Sequence, residues 1–147
     1  MSELLILPYD SAHDDQLVPM WRASFEQGVG VRDPHPLAEQ RAYLHEQVVP
    51  GNTVRLAFQD GLLVGFLASN DAWIAQLYVR VGCQRQGIGT RLLDLAKAGS
   101  AGSLRLHTFE RNQGARAFYE RHGFRAIAHG FEPTWQLADV TYLWGAG

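Results

Sequence analysis

The chain has 147 residues, which bounds it to one expected domain over residues 1–147. Apolar residues make up 46% and charged residues 19%, which excludes a disordered, collagenous or coiled-coil chain, and one cysteine, Cys83, excludes an internal disulfide or a Cys-rich metal site. The net charge of −2 with no long basic run speaks against nucleic acid as a partner.

In chain order, Ser2–Tyr9 is apolar, ends around Pro8 and reads as an edge strand. Asp14 and Asp15 open a helix to Phe25, with Leu17, Met20, Trp21 and Phe25 near helical spacing; Pro19 must sit in its first turn or kink it. Gln27–Pro36 is a loop. Pro36 starts a second helix that runs to about Val48 and is stopped by Pro50. Thr53–Gln59 and Leu62–Ser69 flank Asp60-Gly61, a strong hairpin signal. Ala72–Val79 is a further strand. The glycine-bearing segment Val81–Gly89 leads into a helix over Ile88–Ala98, with Ile88, Leu92, Leu95 and Ala96 on its apolar face and Gly99 at its end. Ser103–Phe109 alternates as a strand should. Asn112 caps a helix in which Ala115, Phe118, Tyr119 and His122 share a face, Gly123 ends it and Phe124 follows as the apolar contact. Phe124–His129 and Asp139–Trp144 are the last strands, joined by a loop over Gly130–Leu137.

The order β-α-α-β-β-β-α-β-α-β-β is that of an α/β protein with a mixed sheet and helices on both faces. Residues 72–109 form a βαβ unit, so its strands are expected to be parallel. The longest apolar run, Leu62–Ala68, is far short of the ~18 residues of a membrane span. The first residues lack a basic n-region, and a cytoplasmic chain without a membrane partner is the expectation.

Charge is unevenly spread. Residues 80–125 carry nine basic and three acidic side chains, whereas the rest carries four and twelve. An anionic partner on 80–125 follows from that asymmetry. Gln84-Arg85-Gln86-Gly87-Ile88-Gly89-Thr90 lies between a strand and a helix. Its glycines let backbone approach a ligand, the first helical amides point outward, and Arg85 adds a charge, so phosphate is the natural guest. A Gly-Lys-Ser/Thr P-loop is absent, and a dinucleotide fingerprint fails because position 92 is Leu.

The run Gln84-Arg85-Gln86-Gly87-Ile88-Gly89, preceded by Leu77-Tyr78-Val79, resembles the Gln/Arg-x-x-Gly-x-Gly/Ala motif of the GNAT superfamily of acyl-CoA-dependent N-acetyltransferases. Asn112-x-x-Ala115-x-x-Phe118-Tyr119-Glu120-x-x-Gly123-Phe124 resembles the superfamily's second signature. The resemblance implies a central mixed sheet splayed between the fourth and fifth strands, with acetyl-CoA as cosubstrate in the gap and no metal. Backbone of Leu77, Tyr78 and Val79 would pair with pantetheine and hold the thioester oxygen. Amides of Arg85, Gln86, Gly87, Ile88, Gly89 and Thr90, after Gln84, would cradle the pyrophosphate. Asn112 would bond pantetheine, Ala115 and Phe118 would line the channel, and Arg121 would reach the nucleotide. Arg85, Arg91 and Arg121 are the candidates for the 3′-phosphate.

The same resemblance makes Tyr119 the acid that protonates the departing thiolate. The base stays open between His107, Asp71 and a water relay to Asp71, Glu132 or Asp139. Cys83 reads as filler. Acceptor recognition falls to the first helices and to the loops 27–36 and 130–138, with Trp21, Trp135, Tyr142, Trp144, Glu26, Asp33, Glu132 and Asp139 as candidates and the amine unidentified. The implied activity is direct transfer of acetyl from acetyl-CoA to a primary amine of a small molecule or peptide. The alternative is a non-catalytic acyl-CoA sensor or partner-binding module of the same fold. A homodimer is expected because two-fold dimers are the commonest oligomers and the C-terminal strand is taken as an exposed edge.

Overall fold

The computed structural model describes residues 3–146. Ser2, with which the expected first strand begins, lies outside the described residues. Four strands, β1 (Leu4–Pro8), β2 (Thr53–Gln59), β3 (Leu62–Ser69) and β4 (Ile74–Val79), form an antiparallel sheet in that order. β1 is an outer strand, as expected for a segment ending in proline. Asp60 and Gly61 take φ of 53° and 77°, the backbone of a primed two-residue turn, and close the β2–β3 hairpin.

A second antiparallel sheet holds β5 (Ser103–Phe109), β6 (Arg125–Glu132) and β7 (Leu137–Gly145) in the order β5-β7-β6. β7 is therefore the central strand. The C-terminal strand is no edge, and that ground for a homodimer is overturned; the outer strand is β6. The last two strands are also longer than expected, and the loop between them shrinks to residues 133–136.

β4 and β5 are parallel neighbours, but only at their starts. Trp73 bridges Arg105, the Arg105 amide donates to the Ala72 carbonyl at 2.9 Å, and the Ala101 amide donates to the Asp71 carbonyl at 3.0 Å. The mixed sheet is thus split into two antiparallel halves that diverge beyond that bridge, the splay between the fourth and fifth strands.

Helices cover both faces. α1 (Asp14–Val29) follows a 3-10 turn at Ser11–His13 and runs four residues past the expected end, because Gly30 at φ 77° caps it. Pro19 is its sixth residue rather than part of the first turn, so the Asp15 carbonyl receives no amide from it. α2 (Leu37–Tyr43) continues as one π turn over Leu44–Val48, which inserts Leu44 and Val48 into the core. Leu17, Trp21, Leu44, Val48, Leu56 and Phe66 form the core on this side. α3 (Ile88–Ala98) and α4 (Gln113–Arg121) cover the other side, where Ile88, Leu92, Leu93 and Ala96 meet Leu67, Leu104, Leu106 and Tyr142. Each fully buried leucine contributes ~1.5–3 kcal/mol relative to exposure, so truncating Leu92 would loosen α3 and both half-sheets at once. Among the described residues no helix is long and apolar enough to cross a membrane.

Candidate active site

The splay opens a cleft of about 570 Å³ between β4 and β5, within the range of small-molecule sites. Its walls are Ile74–Val79 of β4, Leu106, His107 and Thr108 of β5, the segment before α3, and one face of α4. A bulge leaves Ala75 unpaired with β3, since Gln76 faces Ala68 while Ile74 faces Ser69. Such an extra residue bends the strand and turns backbone groups away from the ladder.

Of the residues singled out from sequence, Leu77, Tyr78, Val79, Gln84, Arg85, Gly87, Gly89, Thr90, Asn112, Ala115, Phe118, Tyr119 and Arg121 all border this cleft. Gln86 is exposed and does not. Ile88 turns its side chain into the core, 3% exposed. Arg91 also lies outside the walls. Among the described residues that line the cleft there are two arginines and a histidine, and no aspartate or glutamate.

Local chemistry explains the loop. Arg85 and Gly87 both have positive φ, 65° and 82°, and Gly87 is the N-cap of α3. A glycine there offers no side chain to the helix, and no side-chain cap is made, so the first-turn amides of α3 are left for another acceptor. Gly89 packs under Phe118: a Cβ there would stand 3.3 Å from the ring. At the start of α4 the Asn112 carboxamide oxygen accepts from the Ala115 amide at 3.1 Å, which leaves its NH₂ group as the free donor.

Tyr119 is the one buried residue of α4. Its ring sits against Phe124 at 5.3 Å and Tyr142 at 6.4 Å between centroids. Burial, and then the nearby Tyr78, hold its phenol well above the usual range, and no side-chain hydrogen bond contributes. The group is therefore a protonated donor without a side-chain partner among the described residues. Tyr78 differs. Burial, and then Tyr43, push its phenol up to about 12, against a smaller opposite pull from Trp21. His122 stacks on Phe118 at 4.7 Å and meets the Thr90 hydroxyl at 3.3 Å. Burial, then Lys97 and Arg121, push its imidazole below the usual value.

The base candidates separate. His107 lines the cleft, its ring 5.0 Å from Trp73 and its Nδ1 2.9 Å from the Thr141 hydroxyl. Asp71, Glu132 and Asp139 do not line it. Glu132 instead accepts from the Trp135 amide at 2.7 Å.

The aromatic acceptor candidates also divide. Trp21 and Tyr142 are core residues, and Tyr142 donates its hydroxyl to Glu120 at 2.6 Å. Trp144 stacks under the Lys97 ammonium at 4.9 Å. Trp135 packs across the chain against the end of α1 and the segment after it, 5.2 Å from Phe25 and 5.9 Å from His35. Glu26 and Asp33 clasp the segment after α1, since the Asp33 amide donates to the Glu26 carboxylate and Asp33 binds Arg22 and His35. Cys83 is partly buried against the α3 core, the place of a filler.

Sequence reasoning missed the roof of the cleft. Ser24, Gln27 and Gly28 lie near the end of α1, which was expected to stop at Phe25. The Ser24 hydroxyl donates to the Val79 carbonyl at 2.8 Å and ties this roof to β4. A Cβ on Gly28 would stand 2.9 Å from the Asn112 nitrogen, so α1 reaches α4 only because position 28 is glycine. The glycine inside a helical pattern was the available signal.

A family profile described as Acetyltransferase (GNAT) domain matches residues 50–126. No curated relative matches the sequence. Among solved structures, apo YjaB from Escherichia coli is 18% identical with a TM-score of 0.79 and covers 98% of this chain and 99% of its own. The PaiA N-acetyltransferase of Thermoplasma acidophilum, solved with coenzyme A, is 19% identical at 0.77 over 98% and 99%. YncA of Salmonella typhimurium, solved with its cofactor acetyl-CoA, is 14% identical at 0.74 over 98% and 94%. At these identities the likeness concerns the fold.

Proposed function

The chain belongs to the GNAT acetyltransferase family, and from that premise we propose that it moves an acetyl group from acetyl-CoA directly to a primary amine of a small molecule or peptide. The observation that carries this reading is the cleft wall. It combines uncapped α3 amides, Arg85, Arg121 and no carboxylate with a buried phenol that has no side-chain partner. That donor set fits an extended polyanionic cosubstrate and repels none of its phosphates.

In this reading the amides of Arg85–Thr90 bind the pyrophosphate, with Arg85 or Arg121 at the 3′-phosphate. Gln86 and Ile88 contribute backbone only, since their side chains lie elsewhere. Asn112 gives its free NH₂ to pantetheine, Ala115 and Phe118 wall the channel, and the Leu77–Val79 backbone aligns the chain as a strand would. Acetyl-CoA supplies an activated thioester carbonyl. A β4 amide beside the Ala75 bulge takes the negative charge that builds on its oxygen.

His107 is the base. It acts in the tautomer whose Nδ1–H donates to the Thr141 hydroxyl, which leaves Nε2 to take a proton from the acceptor ammonium. The amine nitrogen then bonds the carbonyl carbon and the carbon–sulfur bond breaks with its electrons on sulfur. Tyr119 gives its proton to that sulfur and regains one from the acetylated nitrogen, so one proton is released per turnover. A phenol is protonated through the neutral range whether or not burial raises it, so the donor is in place there.

The test is thiol release from acetyl-CoA with a panel of primary amines, together with calorimetric CoA binding. Amine-dependent release supports the proposal. Tight CoA binding without release for any amine overturns it and makes the chain a sensor. CoA binding no tighter than ATP overturns the cleft assignment as well.

A further inference from the structure

Resting on the acetyl-CoA reading of the cleft, we infer that His122 is a positioning residue, one that holds the Thr90 hydroxyl in the orientation that donates to the pyrophosphate. Thr90 is the third residue of α3 and borders the cleft, in the turn whose amides have no side-chain cap. His122 does not border it. It is the C-cap of α4, and its Nε2 stands 3.3 Å from the Thr90 hydroxyl oxygen. The two helices meet here because Gly89 lets Phe118 lie over the first turn of α3; a Cβ at position 89 would stand 3.3 Å from that ring. His122 comes four residues after Phe118 and stacks on the same ring at 4.7 Å. Its carbonyl accepts from the Lys97 ammonium at 2.9 Å. Ring and backbone are thus both held, with Nε2 beside Thr90.

The proton count of the two groups decides what this contact does. A threonine hydroxyl has one proton and two lone pairs, whereas an anionic phosphate oxygen only accepts. If Nε2 is the acceptor, it takes the only hydroxyl proton, and Thr90 turns lone pairs towards the phosphate. If Nε2 carries hydrogen, it donates to Thr90 and leaves the hydroxyl proton for the cleft. A phosphate in the cleft therefore selects the Nε2–H form. The two bonds then run in one direction, from imidazole through hydroxyl to anion, and each polarises the other. The surroundings keep the ring neutral. Burial comes first, then Lys97 of α3 and Arg121 of α4 lower its pKa, and Asp94 of α3 opposes them. A neutral imidazole carries its one hydrogen on either nitrogen, so the choice is left to what binds beside Thr90.

Calorimetric binding of coenzyme A to the whole chain tests this. Thr90→Val removes the hydroxyl and keeps the shape, and is expected to weaken binding ~10-fold or more. His122→Phe keeps a ring on Phe118 and is expected to weaken it ~3–10-fold. The double variant is expected to bind no more weakly than Thr90→Val alone, since His122 acts only through that hydroxyl. His122→Gln returns an N–H donor beside Thr90 and is expected to recover affinity to within ~3-fold of the unaltered chain. With acetyl-CoA, KM is expected to rise in His122→Phe while kcat stays nearly constant. Circular dichroism shows whether the variants keep the fold, and a second measurement does not depend on them. In nitrogen NMR at pH ~8, the imidazole signal that His122→Gln removes is expected to show hydrogen on Nε2 when coenzyme A is bound. Three results would each overturn the inference while leaving the acetyl-CoA reading in place: unchanged affinity in His122→Phe, a double variant that loses the product of the two single losses, or a bare Nε2 in the complex. An unaltered chain that does not bind coenzyme A overturns both.

Discussion

Tyr119→Phe removes one oxygen and keeps the ring that packs on Phe124 and Tyr142. No cavity forms at that ring, and because no side chain hydrogen-bonds the phenol, no buried partner is orphaned. Stability should therefore change by less than ~0.5 kcal/mol, a shift of roughly 2 °C or less in Tm for a chain of this length. Turnover should respond quite differently. Without the acid the thiolate leaves unprotonated or takes a proton from water, and the expected loss is ~10²–10⁴ in kcat, which is ~2.7–5.5 kcal/mol on the barrier. The proton transfer belongs to the transition state, so KM for acetyl-CoA should move little. The assay is thiol release with the best amine of the panel, paired with a melting curve on the same preparations. Full kcat in the Phe variant would refute the assignment of the acid. A Tm loss of many degrees with unchanged kcat would refute the claim that the hydroxyl has no structural role.

Four further expectations are open to measurement. His107→Gln keeps a group able to bond Thr141 but cannot take the ammonium proton, so kcat/KM for the amine should fall ~10²-fold or more near pH 7 and partly recover at alkaline pH, where free amine is abundant; an unchanged pH profile would remove His107 as base. Gly87→Asn, whose side chain tolerates the left-handed backbone, should keep CoA binding within a few-fold, whereas Gly87→Glu should lower it ~10²-fold by calorimetry through a carboxylate beside phosphate and should also cost ~1–2 kcal/mol from its φ of 82°. Asp14→Ala should lower Tm by several degrees, a loss of ~2 kcal/mol, because this buried carboxylate accepts from the Tyr9 hydroxyl and binds His45, both at 2.6 Å, and Arg41 at 3.2 Å. The phenols of Tyr9, Tyr78 and Tyr119 all have raised pKa values, so above the ordinary phenol value of ~10 the folded chain holds more protons than the unfolded one; stability should be intact below that pH and fall as pH rises through about 12, where Tyr78 titrates, and pH-independent melting up to that point would contradict it.

The sequence by itself determined the pieces whose signals are local. Asp60-Gly61 announces its turn because φ above zero is a property of those two residues. Asn112, with Ala115 three residues on, announces a cap, and Gly123-Phe124 a helix end, where the Phe124 amide reaches the Tyr119 carbonyl. The two motifs carried the family and most of the cleft wall, because each motif lies on one turn or one helix face.

What only the tertiary structure decided depends on residues distant in the chain. β7 slots between β5 and β6, a choice set by long-range pairing that no window of sequence contains. β4 and β5 are parallel yet bridged at one end alone, so the gap is a product of two half-sheets diverging. The roof of the cleft depends on Gly30 extending α1 and on Gly28 meeting Asn112, two contacts across the fold. Composition could not separate Trp21 and Tyr142, which fill the core, from Trp135, which faces α1, because an aromatic side chain is equally suited to either place. The absence of carboxylates from the cleft is of the same kind. It is a property of which side chains converge, and convergence is what packing decides.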